Sequence, residues 1–278
     1  MKLAQLFSDF EEELIRQGEE AESLSFVYRS LKNLSFTDLV FALQQEVTEE
    51  EEVFVKGIFQ QLAAHKPAQY IIGQADFYGM QLKVDERVLI PRPETEELVK
   101  LILAENSEEN LKVLDIGTGS GAIALALAKK RPDWSVTAAD ISQDALDLAN
   151  ENAKNQNLQI FLKKSDCFTE ISEKYDIIVS NPPYISREDE SEVGLNVLHS
   201  EPHLALFADE DGLAIYRRIV EDAKDYLKDG GQIYLEIGYK QGQSVPKLFR
   251  KFLPEKRVRT LKDQFGLDRM VVIDDGQD

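Results

Sequence analysis

The stretch VLDIGTGSGAIALALA, residues 113–128, decides how this chain folds. Its first residues form an apolar run typical of a buried strand, and its last residues form an apolar helix pattern. Glycines alternate with small polar residues between the two. Glycine at such a junction lets the backbone turn sharply and approach a ligand closely, because it has no Cβ. The stretch therefore predicts a strand, a ligand-binding loop and a helix in immediate succession.

From this stretch to residue 238, strand patterns alternate with helix patterns. Such alternation implies a parallel sheet that is covered by helices on both faces. Ligands on sheets of this kind bind at the carboxyl ends of the strands. The further strands are predicted at 135–140, 159–166, 175–180 and 231–238, and the helices between them at 142–156 and 212–227.

The chain before this region has a different character. Leu3, Phe7, Phe10 and Leu14 recur at helical spacing, and the pattern stays helical for the first 75 residues or so. Glycines, aromatic residues and β-branched residues then replace it. The sequence predicts three parts: an all-helical domain at residues 1–72, a β-hairpin connector at 73–94 and the α/β domain at 95–278.

The composition narrows the setting and the partners. The net charge is −19, from 51 acidic and 32 basic residues, and such a chain repels a nucleic-acid backbone at long range. The single cysteine, Cys167, favours a reducing cytoplasm, and no apolar run reaches the roughly 20 residues of a membrane span. The scattered histidines His65, His199 and His203 give no metal-ligand spacing. We expect a cytoplasmic, metal-free protein with a protein partner.

The glycine loop, Gly117-Thr118-Gly119-Ser120-Gly121, fits two classes of cofactor. With Ala122 it matches the loose dinucleotide pattern, and Asp140 ends the next strand, where its carboxylate can accept from ribose hydroxyls. Asp115, just before the glycines, would repel a pyrophosphate but suits the cationic methionine part of S-adenosylmethionine (SAM). The loop thus favours SAM over NAD, and the next motif favours it further.

That motif is Asn181-Pro182-Pro183-Tyr184, which directly follows the strand YDIIVS. Two successive prolines end a strand stiffly. The Asn181 side-chain oxygen and the Pro182 carbonyl can accept the two N–H bonds of a planar –NH2 group, localise its lone pair and stabilise the positive charge that develops on nitrogen. Tyr184 can stack on the acceptor. The motif therefore indicates methyl transfer to a nucleobase amine or to a glutamine or asparagine amide.

The end of the third strand is predicted to lie near an adenine ring. Asp166 can accept from the exocyclic amine, and Cys167 or Phe168 can flank the ring. An ordinary buried cysteine is an equally good interpretation of Cys167.

Taken together, these residues resemble the release-factor glutamine N5-methyltransferase family. The resemblance covers nearly the whole chain, and "IPRPETE" before the glycine loop is more specific than NPPY, which adenine-N6 methyltransferases of DNA share. The stretches that carry it are QYIIGQADFYG (69–79), VLIPRPETEELV (88–99), VLDIGTGSGAIALALA (113–128), AADIS (138–142), SNPPYI (180–185), EPHLALFADEDGLAIYRRI (201–219) and LEIGYKQG (235–242).

The resemblance implies a Rossmann-like class I SAM-dependent methyltransferase domain with a small helical N-terminal domain. It implies methylation of the glutamine in the Gly-Gly-Gln motif of class 1 peptide-release factors, which acts on translation termination, with the helical domain docking the factor. SAM would contact residues 117–121, Asp140 and Asn181. Residues 181–184 would form the glutamine pocket, and Arg92 and Glu94 would line or brace its entrance. A salt bridge that only pins the loop is an equally good interpretation of those two residues. A monomer is expected.

The sequence differs from the family's pattern at one position, and two alternative functions are compatible with it. Many relatives have a tryptophan where this chain has Cys167, which puts ring stacking on adenine there in doubt. A methyltransferase that acts on an amino group of nucleic acid would share NPPY, but we would expect a basic cleft in it. A catalytically idle SAM-fold module that binds translation factors is the other rival, and the intact glycine loop counts against it.

Overall fold

The computed structural model describes residues 1–276, and the chain forms two compact units. The first unit contains residues 1–74 and 193–201, and the second contains residues 75–192 and the chain from 202 onward. The helices are α1 Leu3–Arg16, α2 Glu22–Leu31, α3 Phe36–Leu43, α4 Glu49–Ala63, α5 Ala68–Ile72, α6 Pro93–Glu105, α7 Ala122–Lys130, α8 Gln143–Asn155, α9 Leu195–Ser200, α10 His203–Leu206, α11 Asp209–Gly212, α12 Ala214–Tyr226 and α13 Ser244–Phe252, with 3-10 turns at Arg187–Glu192 and Tyr239–Gln241.

The first unit is helical, as its sequence pattern predicts. The Ser35 side chain accepts from the Asp38 N–H at 3.1 Å, and the Asp38 carboxylate accepts from the Ser35 N–H at 3.0 Å, so a reciprocal cap begins α3. The apolar stripes of the helices meet in one core, with Leu14, Leu24 and Val55 fully buried. Burial of these stripes, rather than helix propensity alone, holds such short helices in place.

The segment 193–201 joins this unit from far along the chain. Ser200 Oγ donates to the His65 carbonyl at 3.0 Å, and the His199 ring stacks on the His65 ring with the centroids 5.4 Å apart. No local pattern in the sequence predicts this association, because the segment is short and packs against residues that lie more than a hundred positions earlier.

A two-stranded sheet begins the second unit. Its strands are β1 Gln74–Phe77 and β2 Met80–Lys83, and Tyr78 and Gly79 between them have positive φ angles of 49° and 71°. Positive φ at both positions is what a two-residue hairpin turn requires. The alternate side chains of this hairpin are buried in the core of the second unit.

The main sheet has seven strands in the order β5-β4-β3-β6-β7-β9-β8. The pairings from β5 to β7 are parallel, which confirms the predicted parallel sheet, while β9 pairs antiparallel with both of its neighbours. The strands β8 and β9, with α13 before them, lie beyond the alternation described from the sequence. The bounds are β3 Lys112–Ile116, β4 Ser135–Asp140, β5 Phe161–Lys164, β6 Tyr175–Ser180, β7 Leu227–Glu236, β8 Arg257–Lys262 and β9 Asp268–Asp274.

The topology creates a crevice between β3 and β6. The chain runs outward from β3 through β4 to β5 and then returns to β6 on the other side, so β3 and β6 flank the switch point at which such sheets bind ligands. Ile116 and Ser180 are partners across this pair, and Ser180 Oγ donates to the Ile116 carbonyl at 2.7 Å. Both faces of the sheet are covered by apolar layers, so the crevice has a rigid floor.

Two kinds of feature are absent from residues 1–276. No helix in that range is both long and apolar enough to cross a membrane. The same residues contain no cluster of histidine, cysteine and acidic side chains that is arranged to hold a metal ion.

Candidate active site

A cavity of about 310 Å³ lies in the second unit at the carboxyl ends of the parallel strands. It brings together the segments that follow four successive strands, and these are the segments in which the sequence predicts a site. Parallel strands end at one edge of a sheet, which is why loops far apart in sequence meet there. The cavity is lined by residues 117–120, 140–142, 165–167 and 180–183, together with Arg87, Arg92, Thr95, Ile215, Arg218 and others.

The glycine loop adopts a conformation that ordinary side chains disfavour. Gly117 and Gly119 have φ angles of 72° and 54°, and both line the cavity. Gly121 has φ 81° but is not among the lining residues. A Cβ there would lie 3.2 Å from side-chain atoms of Ala149 and Leu125, so this glycine allows α7 and α8 to pack closely behind the loop.

Asp140 lies at the cavity wall, and hydrogen bonds from two backbone N–H groups fix its carboxylate. Its two carboxylate oxygens accept from the N–H groups of Gly119 and Ser142, each at 2.9 Å. Burial raises the pKa of Asp140, and these hydrogen bonds oppose that rise. Each oxygen keeps a further lone pair, so the carboxylate can accept two ribose hydroxyls. The apolar side chain of Ile141, exposed beside it, offers a surface for an adenine ring.

Asp115 lies beneath the glycine loop with none of its surface exposed. One carboxylate oxygen accepts from the Thr118 hydroxyl at 2.6 Å, while Oδ1 has no hydrogen-bond partner of normal geometry within residues 1–276. Burial raises the pKa of Asp115 to about 7. A buried carboxylate with a free acceptor is costly by itself and is relieved by a nearby cation. Its position therefore suits a cofactor that carries a positive charge at the loop.

The Asp166 segment, after β5, contains a partner that the sequence did not reveal. Asp166 Oδ1 accepts from Arg218 on α12 at 2.7 Å, and both side chains line the cavity. Cys167 also lines it, with burial raising the pKa of the thiol to about 11. Phe168 does not line it, because its ring stacks on Tyr226 with the centroids 4.6 Å apart. Of the two candidates for contact with adenine, the cavity contains Cys167.

The NPPY segment forms the other wall of the cavity. Asn181, Pro182 and Pro183 all line it. The Asn181 amide nitrogen donates to Thr95 Oγ1 at 3.2 Å, and the Thr95 hydroxyl donates to the Glu236 carboxylate at 2.7 Å. The Asn181 side-chain oxygen is thereby left free to accept from a ligand.

Tyr184 is half-buried beside the cavity rather than in its lining. Its carbonyl accepts from Gln241 Nε2 at 3.2 Å, and its ring lies against Gly238, where an added Cβ would come within 3.1 Å of it. Burial raises the pKa of the Tyr184 phenol to about 12, so the hydroxyl is neutral at physiological pH. This placement lets the ring back a planar group but excludes Tyr184 as a base.

Arg92 and Glu94 begin α6 next to this segment. Arg92 is the N-cap residue and lines the cavity, and Glu94 lies in the first turn. Both charges act on the Tyr184 phenol, Arg92 lowering its pKa and Glu94 raising it. The two residues therefore lie at the Tyr184 end of the site, where the sequence predicts the entrance.

Thr95, Glu236, Arg218 and Gln241 are the site residues that sequence reasoning missed. Glu236 carried the clearest signal, since a carboxylate stands at the end of an otherwise apolar strand, and it is 2% exposed in the structure. Burying a charge of this kind is expensive unless hydrogen bonds compensate, which makes it a mark of function.

This geometry defines a class of protein first. A parallel sheet with a glycine loop after β3, an acid after β4 and an amide-bearing loop after β6 is the class I SAM-dependent methyltransferase fold. The family model described as the methyltransferase small domain matches residues 95–267. A methyltransferase from Pyrococcus furiosus has the same fold, with a TM-score of 0.54 and 19% identity over 72% of this chain and 90% of that one. The predicted fold class is confirmed, and the protein is an enzyme of this class.

The comparisons also resolve the particular family. The PrmC N-terminal domain model matches residues 5–73. The release factor glutamine methyltransferase of Streptococcus pneumoniae is 90% identical over the full length of both chains. That of Lactococcus lactis is 48% identical over 92% of this chain and 94% of its own. The chain belongs to the release factor glutamine methyltransferase family, as the sequence resemblance indicates.

Proposed function

We propose that the enzyme transfers a methyl group from S-adenosyl-L-methionine to the side-chain amide nitrogen, N5, of the glutamine in the Gly-Gly-Gln motif of class 1 release factors. The single observation that carries this proposal is the Asn181 amide, whose nitrogen bonds Thr95 and whose oxygen is thereby available in the cavity that Pro182 and the glycine loop also line. Two fixed acceptors and a methyl-donor site are what an unreactive planar amide needs.

The cavity has groups suited to each part of SAM. Residues 117–120 and the buried Asp115 would hold the methionine part, and Asp140 would accept from the ribose hydroxyls. Ile141, Asp166 and Cys167 would surround the adenine. Bound SAM supplies a methyl group on a sulfonium. The leaving group is the neutral sulfur of S-adenosyl-L-homocysteine, which requires no protonation.

The chain's own contribution is orientation and charge stabilisation. The Asn181 oxygen and the Pro182 carbonyl accept the two amide N–H bonds, which turns the nitrogen lone pair toward the methyl group. The same dipoles stabilise the positive charge that develops on the nitrogen, and they need no reorganisation because the prolines fix them. Tyr184 backs the amide plane, and Arg92 and Glu94 border the entrance. The proton can leave after transfer, so no strong base is required.

We propose that the helical part, residues 1–72, docks the release factor, with residues 73–94 as connector and 95–278 as catalytic domain. Helix α3 supports this, because it exposes large apolar side chains in a unit that is otherwise strongly acidic. The exposed fractions are 71% for Phe36, 55% for Val40 and 62% for Phe41. Exposed apolar clusters of this kind mark interaction surfaces.

The enzyme then acts as a monomer in the cytoplasm, where release factors work. Its acidic total charge favours a protein substrate over nucleic acid, since a phosphate backbone would be repelled.

Transfer of isotope-labelled methyl groups from SAM tests the proposed substrate. Purified release factor should be labelled, and its variant with alanine in place of the Gly-Gly-Gln glutamine should not. Adenine-containing DNA and RNA form the third arm and should stay unlabelled. Equal labelling of the glutamine and alanine forms, or labelling of nucleic acid alone, would contradict the proposal.

A further inference from the structure

We propose that Thr95 and Glu236 are positioning residues, which hold the Asn181 amide with its oxygen toward the methyl acceptor and its nitrogen away from it. The inference deepens the proposed function and rests on it, because the orientation of Asn181 matters only if that amide binds an –NH2 group. Thr95 lines the cavity and Glu236 lies behind it, and we infer that both act through Asn181.

The donors and acceptors of the three side chains set the direction of their hydrogen bonds. An ionised carboxylate only accepts, so the Thr95 hydroxyl must donate to Glu236, and it does so at 2.7 Å. With its proton committed there, Thr95 Oγ1 can only accept from Asn181. The amide must then present its nitrogen, which lies 3.2 Å away. The negative charge of Glu236 thus fixes the direction of both hydrogen bonds, from Thr95 to Glu236 and from Asn181 to Thr95.

Burial makes this direction hard to reverse. Thr95 and Glu236 are 4% and 2% exposed, and they come from the start of α6 and the end of β7. Water cannot easily replace either partner at such positions. Tyr216 on α12 donates to the Glu236 backbone carbonyl at 2.7 Å, which holds the end of the strand in place.

The alternative orientation of Asn181 would be unproductive. The oxygen and nitrogen of a side-chain amide are nearly equal in size, so sterics alone discriminate poorly between the two orientations. A flipped amide would point its N–H groups at the N–H groups of the acceptor. Two opposed donors cannot bond, and the acceptor nitrogen would lose one of the two groups that orient it.

Charged and titratable groups face Glu236 from several elements. Burial raises the pKa of Glu236 to about 7, the hydrogen bonds from Thr95 and Asn181 and the Arg269 guanidinium on β9 lower it, and Glu94 on α6 raises it further. The Tyr184 and Tyr216 phenols, whose pKa values are also raised, stay neutral around this pH. Among the carboxyl and phenol groups of this cluster, Glu236 is therefore the one whose charge changes near neutrality, while Asp115, which has a similar pKa, lies beneath the glycine loop.

The sign of the resulting pH dependence follows directly. Above about pH 7 the Glu236 carboxylate accepts from Thr95. The chain of hydrogen bonds from Asn181 through Thr95 to Glu236, here called the relay, then has one direction. Below that pH a protonated Glu236 can donate to Thr95, and Thr95 can then donate to the Asn181 oxygen. Turnover at saturating SAM should therefore fall as the pH drops through about 7.

The first test compares Thr95→Val with Thr95→Ser in the full-length enzyme acting on intact release factor. Valine keeps the shape but removes the hydroxyl, while serine keeps the hydroxyl. We expect Thr95→Val to lower kcat about tenfold with little change in KM for either substrate, and Thr95→Ser to restore most of it. A kcat for Thr95→Val within about twofold of wild type, or an equal loss in both variants, would overturn the proposal.

The second test asks whether Thr95 acts through Asn181. Adding Thr95→Val to Asn181→Ala should cause no further loss of kcat, because the residue to be oriented is already gone. The glutamine amide in Glu236→Gln can either donate to Thr95 or accept from it, and it does not titrate. This variant should therefore have a lower kcat, and its kcat should no longer fall below about pH 7. Additive losses in the double variant, or an unchanged pH profile in Glu236→Gln, would assign both residues a merely structural role. Wild-type labelling of the glutamine tests the proposed function separately, since only ratios between variants test the relay.

Discussion

Asn181 is the residue at which the proposed chemistry can be tested most simply. Replacement by alanine removes one of the two acceptors that orient the amide, and we expect turnover to fall by at least about 10² while SAM affinity changes much less. Initial rates on release factor and calorimetric titration with SAM give the two values. Asn155→Ala, on the exposed end of α8, is the matched control. Near-normal turnover of Asn181→Ala would rule out the orienting role.

Replacement of Asp115 by asparagine should stabilise the SAM-free protein and weaken its binding of SAM. Its pKa is raised to about 7 from an ordinary value of 3.8, because burial in the folded protein favours the protonated carboxyl. The stability that this preference contributes is fully present below the pKa of Asp115 in the unfolded chain and is lost as the pH rises through about 7. Without SAM, Asp115→Asn should therefore be more stable than wild type at about pH 8, by on the order of 2 kcal/mol, and this gain should vanish toward about pH 4.

The same variant should bind SAM at least about tenfold more weakly, because the buried charge beneath the glycine loop, which would attract the cationic methionine part, is gone. Thermal denaturation across the pH range and calorimetry measure the two effects. If Asp115→Asn bound SAM as tightly as wild type, the electrostatic role assigned to this carboxylate would be wrong.

At the scale of elements, the end of α11 supports the NPPY segment from outside the cavity. Gly212 has φ 78°, and a Cβ there would lie 2.1 Å from the Tyr184 carbonyl oxygen. Gly212→Ala should therefore displace Tyr184 and lower kcat about tenfold or more. Gly230→Ala is the matched control, since its φ is 76° but no atom lies within 4 Å of an added Cβ.

Both glycine variants carry a similar cost in backbone strain, roughly 1 kcal/mol. The difference between them in activity therefore isolates the contacts of position 212 with the Tyr184 carbonyl and with Gln241, which itself donates to that carbonyl. Equal activity of the two, measured at the same fraction folded, would show that the end of α11 does not position the NPPY segment.

The elements differ in how far sequence alone could place them. The parallel strands were predictable because each is a continuous apolar run, and the two loops were predictable because Gly117 and Pro182 impose local conformations. The relay was not, because Thr95 and Glu236 are 141 residues apart and meet only when α6 packs at the end of β7. Gly121 has a role that the motif does not reveal, since its missing Cβ allows α7 and α8 to pack closely, while its contact with the cofactor stays a prediction.

At the scale of the whole molecule, the exposed face of α3 tests the docking proposal. Replacing Phe36 and Phe41 together by serine should raise KM for release factor about tenfold and leave SAM affinity and stability nearly unchanged, since both side chains are exposed. The matched control replaces Phe265 and Leu267, which are 69% and 44% exposed in the second unit. An equal rise in KM for both pairs, or none for the α3 pair, would contradict a specific docking role for that helix.

The central claim is that the methyl group reaches the amide nitrogen of one glutamine. Fragmentation mass spectrometry of the Gly-Gly-Gln peptide, after incubation of release factor with the enzyme and SAM, tests it most directly. We expect a mass increase of a single methyl group, located on the side-chain nitrogen of that glutamine, with none in the Asn181→Ala reaction over the same time. A methyl group on any other atom or residue, or none on the wild-type peptide, would contradict it.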